Sequence, residues 1–197
     1  MSATHNALSL IELASARLWH DVGPLADSLD RAVAGQGDVH HAAHGLLAGL
    51  RLRQAAWTPP HAPLPLGQLT ALARGLPDRA GLDAAPLDAG TVFSPEAGRI
   101  VLNLLLLGAD SLPAGGVILL AGSADDLFIR ITGPAAAWPV GLALCLADEA
   151  AARSALTDPA VMQMALTALL AHASGCRLSV LMSPRPGAEP PMLRLGG

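Results

Sequence analysis

Few residues of this chain can stack on a nucleobase or neutralise a phosphate backbone. Aromatic residues make up 3% of it and charged residues 14%, the formal net charge is -4, and no Lys/Arg cluster is interleaved with aromatics. That balance argues against nucleic-acid binding. Cysteine is scarce too: Cys145 and Cys176 stand far apart and belong to no CxxC or zinc pattern. Two ordinary thiols in a reducing compartment are expected. The longest apolar run, Ile100 to Leu107, is interrupted by Asn103 and falls far short of the ~20 residues that span a bilayer. The first residues lack the basic start and apolar core of a signal peptide. A soluble, cytoplasmic protein without a membrane partner is therefore expected. What the chain has in quantity is apolar content, 52% of its 197 residues, carried mostly by alanine and leucine. That suffices for a sizeable core in one large or two small domains, and two are expected.

The most informative stretch runs from Leu18 to Leu25. Apolar or small residues recur at Ile11, Ser15, Leu18, Val22, Leu25, Leu29 and Ala32, alternately four and three apart. This is the seam of a helix expected over about Ser9 to Ala34. His20 stands two positions from both Leu18 and Val22, so at about 100° per residue it projects opposite the seam. A lone histidine is more often a satisfied core residue, but this periodicity places it outward. An exposed imidazole near neutral pH keeps a free nitrogen lone pair and can act as a nucleophile. Arg17, one turn earlier on the same face, could meet an incoming phosphoryl group, and Asp21 could orient the other ring nitrogen. A plain solvated surface explains Arg17 and Asp21 equally well.

Gly35-Gln36-Gly37-Asp38 supplies a stop, a turn and an N-cap for a second helix. Its seam is expected at Val39, Ala43, Leu46, Leu50 and Trp57, with Arg53 interrupting it. So short a connection makes the two helices antiparallel neighbours. His40 and His44 are four apart and could share a metal, but no Asp, Glu or Cys in that stretch completes a ligand set, and a polar helical face is preferred. Four prolines between Thr58 and Pro65 end the helix and mark a domain boundary, which gives units over 1–58 and 66–197.

Beyond the boundary helices and strands alternate. A short helix is expected over Leu66 to Gly75 and a strand at Thr91 to Phe93. Ser94-Pro95-Glu96 opens a helix that reaches about Ser111 and is apolar nearly all round. Strands follow at Val117 to Ala121 and Leu127 to Thr132, helices at Pro139 to Asp148 and Pro159 to Ala173, then strands at Arg177 to Met182 and Met192 to Leu195. The order suits an α+β unit, an antiparallel or mixed sheet with helices on one face.

Two segments carry a resemblance. Glu12 to Leu25, with His20 at its centre, is similar to the phospho-acceptor helix of ChpT-type bacterial histidine phosphotransferases and, more distantly, to the H-box of sensor histidine kinases. Proline usually stands five residues after the histidine in those families; here Pro24 stands four after it. Arg99 to Gly116, with its Leu-Pro-x-Gly-Gly exit at Leu112 to Gly116, resembles the N-box helix of the kinase ATP-binding domain and, more closely, its counterpart in the phosphotransferases. In the kinase pattern Asn-Leu-Leu-x-Asn-Ala the second Asn coordinates Mg²⁺; here that position is Leu107, which offers no oxygen to a hard cation. Ile131 to Ala135 stands where kinases carry an Asp-x-Gly-x-Gly turn, so the adenine-reading carboxylate is replaced as well.

The resemblance implies an N-terminal antiparallel hairpin that forms a four-helix bundle on homodimerisation, joined to an α/β sandwich like a degenerate kinase ATP-binding domain. It implies a phosphotransferase in which His20 relays a phosphoryl group between receiver-domain aspartates of a hybrid histidine kinase and of response regulators. No cofactor is expected on this chain; Mg²⁺ comes with the receiver. Asn103 is then structural, and Leu13, Ala16 and Pro24 leave room for a partner to approach His20. Two rivals remain open: a working histidine kinase with an atypical nucleotide site, and a non-catalytic module that binds or inhibits a kinase.

Overall fold

The computed structural model describes residues 31, 34, 35, 38–181 and 190–196. His20, Arg17, Asp21 and the rest of the expected first helix up to residue 30 lie outside the described residues. In chain order the described elements are α1 (Val39–Trp57), β1 (Leu64–Pro65), α2 (Leu66–Ala73), β2 (Ala80–Asp83), β3 (Val92–Phe93), α3 (Pro95–Asp110), β4 (Gly116–Gly122), β5 (Asp126–Thr132), α4 (Leu142–Ala147), α5 (Glu149–Ala155), α6 (Met162–Ser174), β6 (Arg177–Leu181) and β7 (Met192–Gly196). The class is α+β.

Local chemistry starts and stops these helices where the sequence signals it. The Asp38 carboxylate accepts from the backbone N–H of His40 and of His41 at 2.9 and 3.1 Å, satisfying two donors that α1 leaves free. Ser94 Oγ accepts from Ala97 N–H, with Pro95 in the first turn of α3. Gly175, at φ +72°, closes α6. Gly141 at φ +93° delays α4 to Leu142, three residues past the proline expected to open it.

Five strands form a mixed sheet in the order β2-β4-β5-β7-β6, with β2 parallel to β4 and every other pair antiparallel. A separate antiparallel pair joins β1 to β3 through Leu64 and Phe93. Alternation gives the large sheet one buried face: Ile118 and Leu120 on β4, Leu127, Ile129 and Ile131 on β5, Leu193 and Leu195 on β7. Helix α3 is central, with every residue from Ile100 to Ala109 buried. Each of its leucines contributes roughly 1.5–3 kcal/mol by leaving water. Gly108 lets it approach the sheet; a Cβ there would stand 2.8 Å from Ile118 Cδ1.

Three expectations need correction. Strand β2 and helix α5 were not foreseen. Ala80-Gly81-Leu82-Asp83 has no β-branched or aromatic residue, and pairing with β4 makes it a strand. Asp148, expected to end a helix, also starts α5 by accepting from Ala150 N–H. The buried face of α1 is not the expected seam either. Gly49, Leu52, Arg53 and Ala56 are buried, whereas Val39 is exposed and Leu46, Leu50 and Trp57 are only half-buried. Arg53 does not interrupt a seam but lies in the contact, its guanidinium donating to the Gly49 carbonyl at 3.3 Å.

Candidate functional site

Helix α3 meets the end of α1 at a polar joint. The last turn of an α-helix leaves carbonyl groups without partners, and at the end of α1 two side chains of α3 take them up. Arg99 donates through Nε to Ala56 O at 3.2 Å and through a terminal nitrogen to Trp57 O at 2.7 Å. Asn103 donates through Nδ2 to Ala56 O at 2.7 Å and to Arg99 O at 2.9 Å. A guanidinium at a helix C-terminus also suits the negative end of the helix dipole. Burial alone holds the Arg99 pKa below its ordinary value, which leaves it charged at any physiological pH.

On the other side of Asn103 stands α6. Gln163 Nε2 donates to Asn103 Oδ1 at 3.1 Å, with longer contacts at 3.3 Å to Asn103 O and Thr167 Oγ1, and Thr167 Oγ1 donates to Gln163 O at 2.7 Å. Asn103 and Thr167 are completely buried and Gln163 nearly so. Gln163 Oε1 and Trp57 Nε1 are buried without a partner. The amide of Asn103 is thus spent on holding α1, α3 and α6 together. One turn on, Leu107 is 1% exposed and presents only hydrocarbon. This donor set does not fit a nucleotide-bound divalent cation, which requires oxygen ligands free to point at it.

The two glycine-bearing segments tied to the resemblance touch each other. A Cβ on Gly116, at φ +156°, would stand 2.2 Å from Thr132 O, and one on Gly133 2.2 Å from Gly115 O. Ala137 N–H donates to Ser111 O at 3.2 Å. The Leu112–Gly116 exit is therefore packed backbone to backbone against the 131–135 turn, where Ala135 takes φ +56°. No carboxylate stands in that turn.

His40 and His44 are exposed, with ring centroids 4.3 Å apart in an edge-on arrangement. Among the described residues no group of three or more His, Cys, Asp or Glu is placed to hold a metal, and no helix is long and apolar enough to cross a membrane. Sequence reasoning singled out Asn103 and took Arg53 only for a break in a seam; it missed Arg99, Gln163 and Thr167. A polar residue at each of these points in an otherwise apolar helix was the available signal.

A family model for the histidine phosphotransferase C-terminal domain matches residues 36–185. A solved structure described as a 1.7 Angstrom structure of a bacterial phosphotransferase aligns over 99% of this chain and 97% of its own, with a TM-score of 0.71 at 19% identity. At that identity the likeness is one of fold. No curated protein matches. The match over most of the chain, together with the shared fold, bears out the resemblance to ChpT-type proteins: this chain belongs to the histidine phosphotransferase C-terminal domain family.

Proposed function

We propose that this chain is a phosphorelay intermediate in which His20 carries the phosphoryl group between receiver-domain aspartates. A ring nitrogen of His20, Nε2, attacks phosphorus of a receiver's aspartyl phosphate. The N–P bond forms as the acyl-phosphate P–O bond breaks, and the aspartate leaves as a carboxylate. A second receiver's aspartate then attacks phosphorus and releases the imidazole. Both linkages are high in energy, so the exchange runs either way and the demand on the protein is in-line positioning. Arg17 meets the phosphoryl oxygens, Asp21 orients the second ring nitrogen, and Mg²⁺ arrives with the receiver.

Membership of the phosphotransferase family carries this reading. The commitment of Asn103 to Ala56 and Gln163 supports a body that braces the hairpin in place of feeding it from ATP. In the same reading two hairpins, 1–58 of each copy, pair into a four-helix bundle, and 66–197 is a degenerate kinase-like sandwich. Val39 is an exposed apolar position on α1 available to a second copy.

The test is transfer from a phosphorylated receiver to wild type and to His20→Ala. Wild type is expected to take the label and pass it to a second receiver; His20→Ala is expected to fold, dimerise and take none. Label entering wild type from ATP without a partner kinase refutes the proposal in favour of a kinase. Activity that survives His20→Ala refutes it in favour of a binding module.

A further inference from the structure

We propose that the cleft between α1 and the segment from α2 to β2 binds a small organic phosphate carrying two or more negative charges. The cleft is open on one side and has a volume of about 940 Å³, within the roughly 300–1,000 Å³ typical of small-molecule sites. Neither Asn103 nor Leu107 lines it, so it is separate from the position where a kinase would hold nucleotide.

Its charge is out of keeping with the rest of the molecule. The chain has no lysine, so its 12 fixed cations are all arginines, on a net charge of -4. Four of them, Arg51, Arg53, Arg74 and Arg79, line this one cleft, against two carboxylates, Asp78 and Asp110. Among the described residues that line it, guanidinium groups outnumber carboxylates in a chain that is negative overall. Arg53 is buried and donates to Gly49 O, and so belongs to the wall. Arg51, Arg74 and Arg79 are exposed and make no ion pair among the described residues. Elsewhere Arg99, Arg153 and Arg194 are each committed to a carbonyl or a carboxylate.

An unpaired arginine on a convex surface costs nothing, because water solvates it. Three in one concavity are different, since low-dielectric walls focus their field on whatever enters. Guanidinium forks match phosphate oxygens in pairs of hydrogen bonds, and a monoanion would satisfy only one of the three. Leu47, Ala48, Leu72 and Leu76 supply an apolar floor for an uncharged body beside the phosphates. The two sides of the cleft are in close contact at Gly75, where a Cβ would lie 2.2 Å from Ala48 O.

Calorimetric titration of the full chain with ADP and with pyrophosphate, at constant ionic strength and without Mg²⁺, tests the proposal. ADP is expected to bind saturably with Kd below about 1 mM, and Arg74→Ala with Arg79→Ala is expected to weaken it at least about tenfold. Arg51→Ala is a second, independent variant with the same expected direction. All three side chains are exposed, so unchanged melting of the variants is expected to accompany the loss. Pyrophosphate binding as tightly as ADP overturns the organic phosphate in favour of an inorganic one; weaker binding supports the organic body being engaged. Absence of saturable binding of both probes overturns the proposal. So does ADP binding that survives the arginine changes, which would put the nucleotide elsewhere. Variants that bind neither probe differently but slow phosphoryl exchange with a receiver would make the cleft a protein-docking face and equally overturn it.

Discussion

Replacing Asn103 by leucine tests whether the N-box-like helix has exchanged a ligand role for a structural one. The side chain makes two donations, to Ala56 O and Arg99 O, and accepts one from Gln163. At a net value of about 1 kcal/mol each, the three bonds contribute about 3 kcal/mol. Leucine of similar volume returns about 1 kcal/mol through its added apolar surface. No partner is left wholly unpaired, because Ala56 O keeps the Arg99 Nε donation and Gln163 Nε2 keeps Asn103 O and Thr167 Oγ1. The expected loss is therefore about 2 kcal/mol. With a urea m-value near 2 kcal/mol/M, the unfolding midpoint followed by far-UV circular dichroism falls by about 1 M with m unchanged. Phosphoryl transfer per folded molecule is expected to stay within about twofold of wild type, since a 1.4 kcal/mol change in barrier would be needed for tenfold. A midpoint unchanged or raised would refute the bracing role. A collapse of transfer in the folded variant would refute its being structural only.

Gly75→Ala is expected to lower the free energy of unfolding in urea by about 1–3 kcal/mol, because the added methyl meets Ala48 O at 2.2 Å and α1 must shift; a silent substitution would show that α1 is not held there. Acid sensitivity has a defined sign. Hydrogen bonds from the His41 and His40 amides hold the Asp38 carboxyl below its ordinary pKa, and Arg194 does the same for Asp126. Both groups bind protons less readily folded than unfolded, so their contribution is present above the usual carboxylate range and is lost as pH falls through their lowered values. Urea midpoints of Asp38→Ala are expected to fall less steeply than those of wild type below about pH 4, and parallel curves would refute the cap's role. Burial, aided by the Asp148 charge, raises the Cys145 thiol. Alkylation followed by mass spectrometry is expected to label half-buried Cys176 first, and equal labelling would refute that ordering.

Local chemistry alone made several elements legible. Asp38, Ser94 and Gly175 sit where a free N–H or the left-handed turn at a helix end requires their residue types, and they do so whatever surrounds them. The strands β4 and β5 were placed from their runs of β-branched and other apolar residues bounded by polar turns. The apolar surround of α3 announced a central helix. Tertiary structure decided the rest. Ala80 to Asp83 becomes a strand only because β4 is there to pair with it. The seam of α1 could not be read because the helix serves more than one neighbour. Its buried face includes Gly49 and Ala56, too small to register as strong apolar signals, and Arg53, which a periodicity count treats as an interruption. Asn103 shows the division most clearly. Its place in an N-box-like sequence was visible from the residues, but its bonds run to Ala56 and Gln163, 47 and 60 positions away along the chain. No local pattern encodes partners at that separation; only the packing of α1, α3 and α6 against one another brings them within reach.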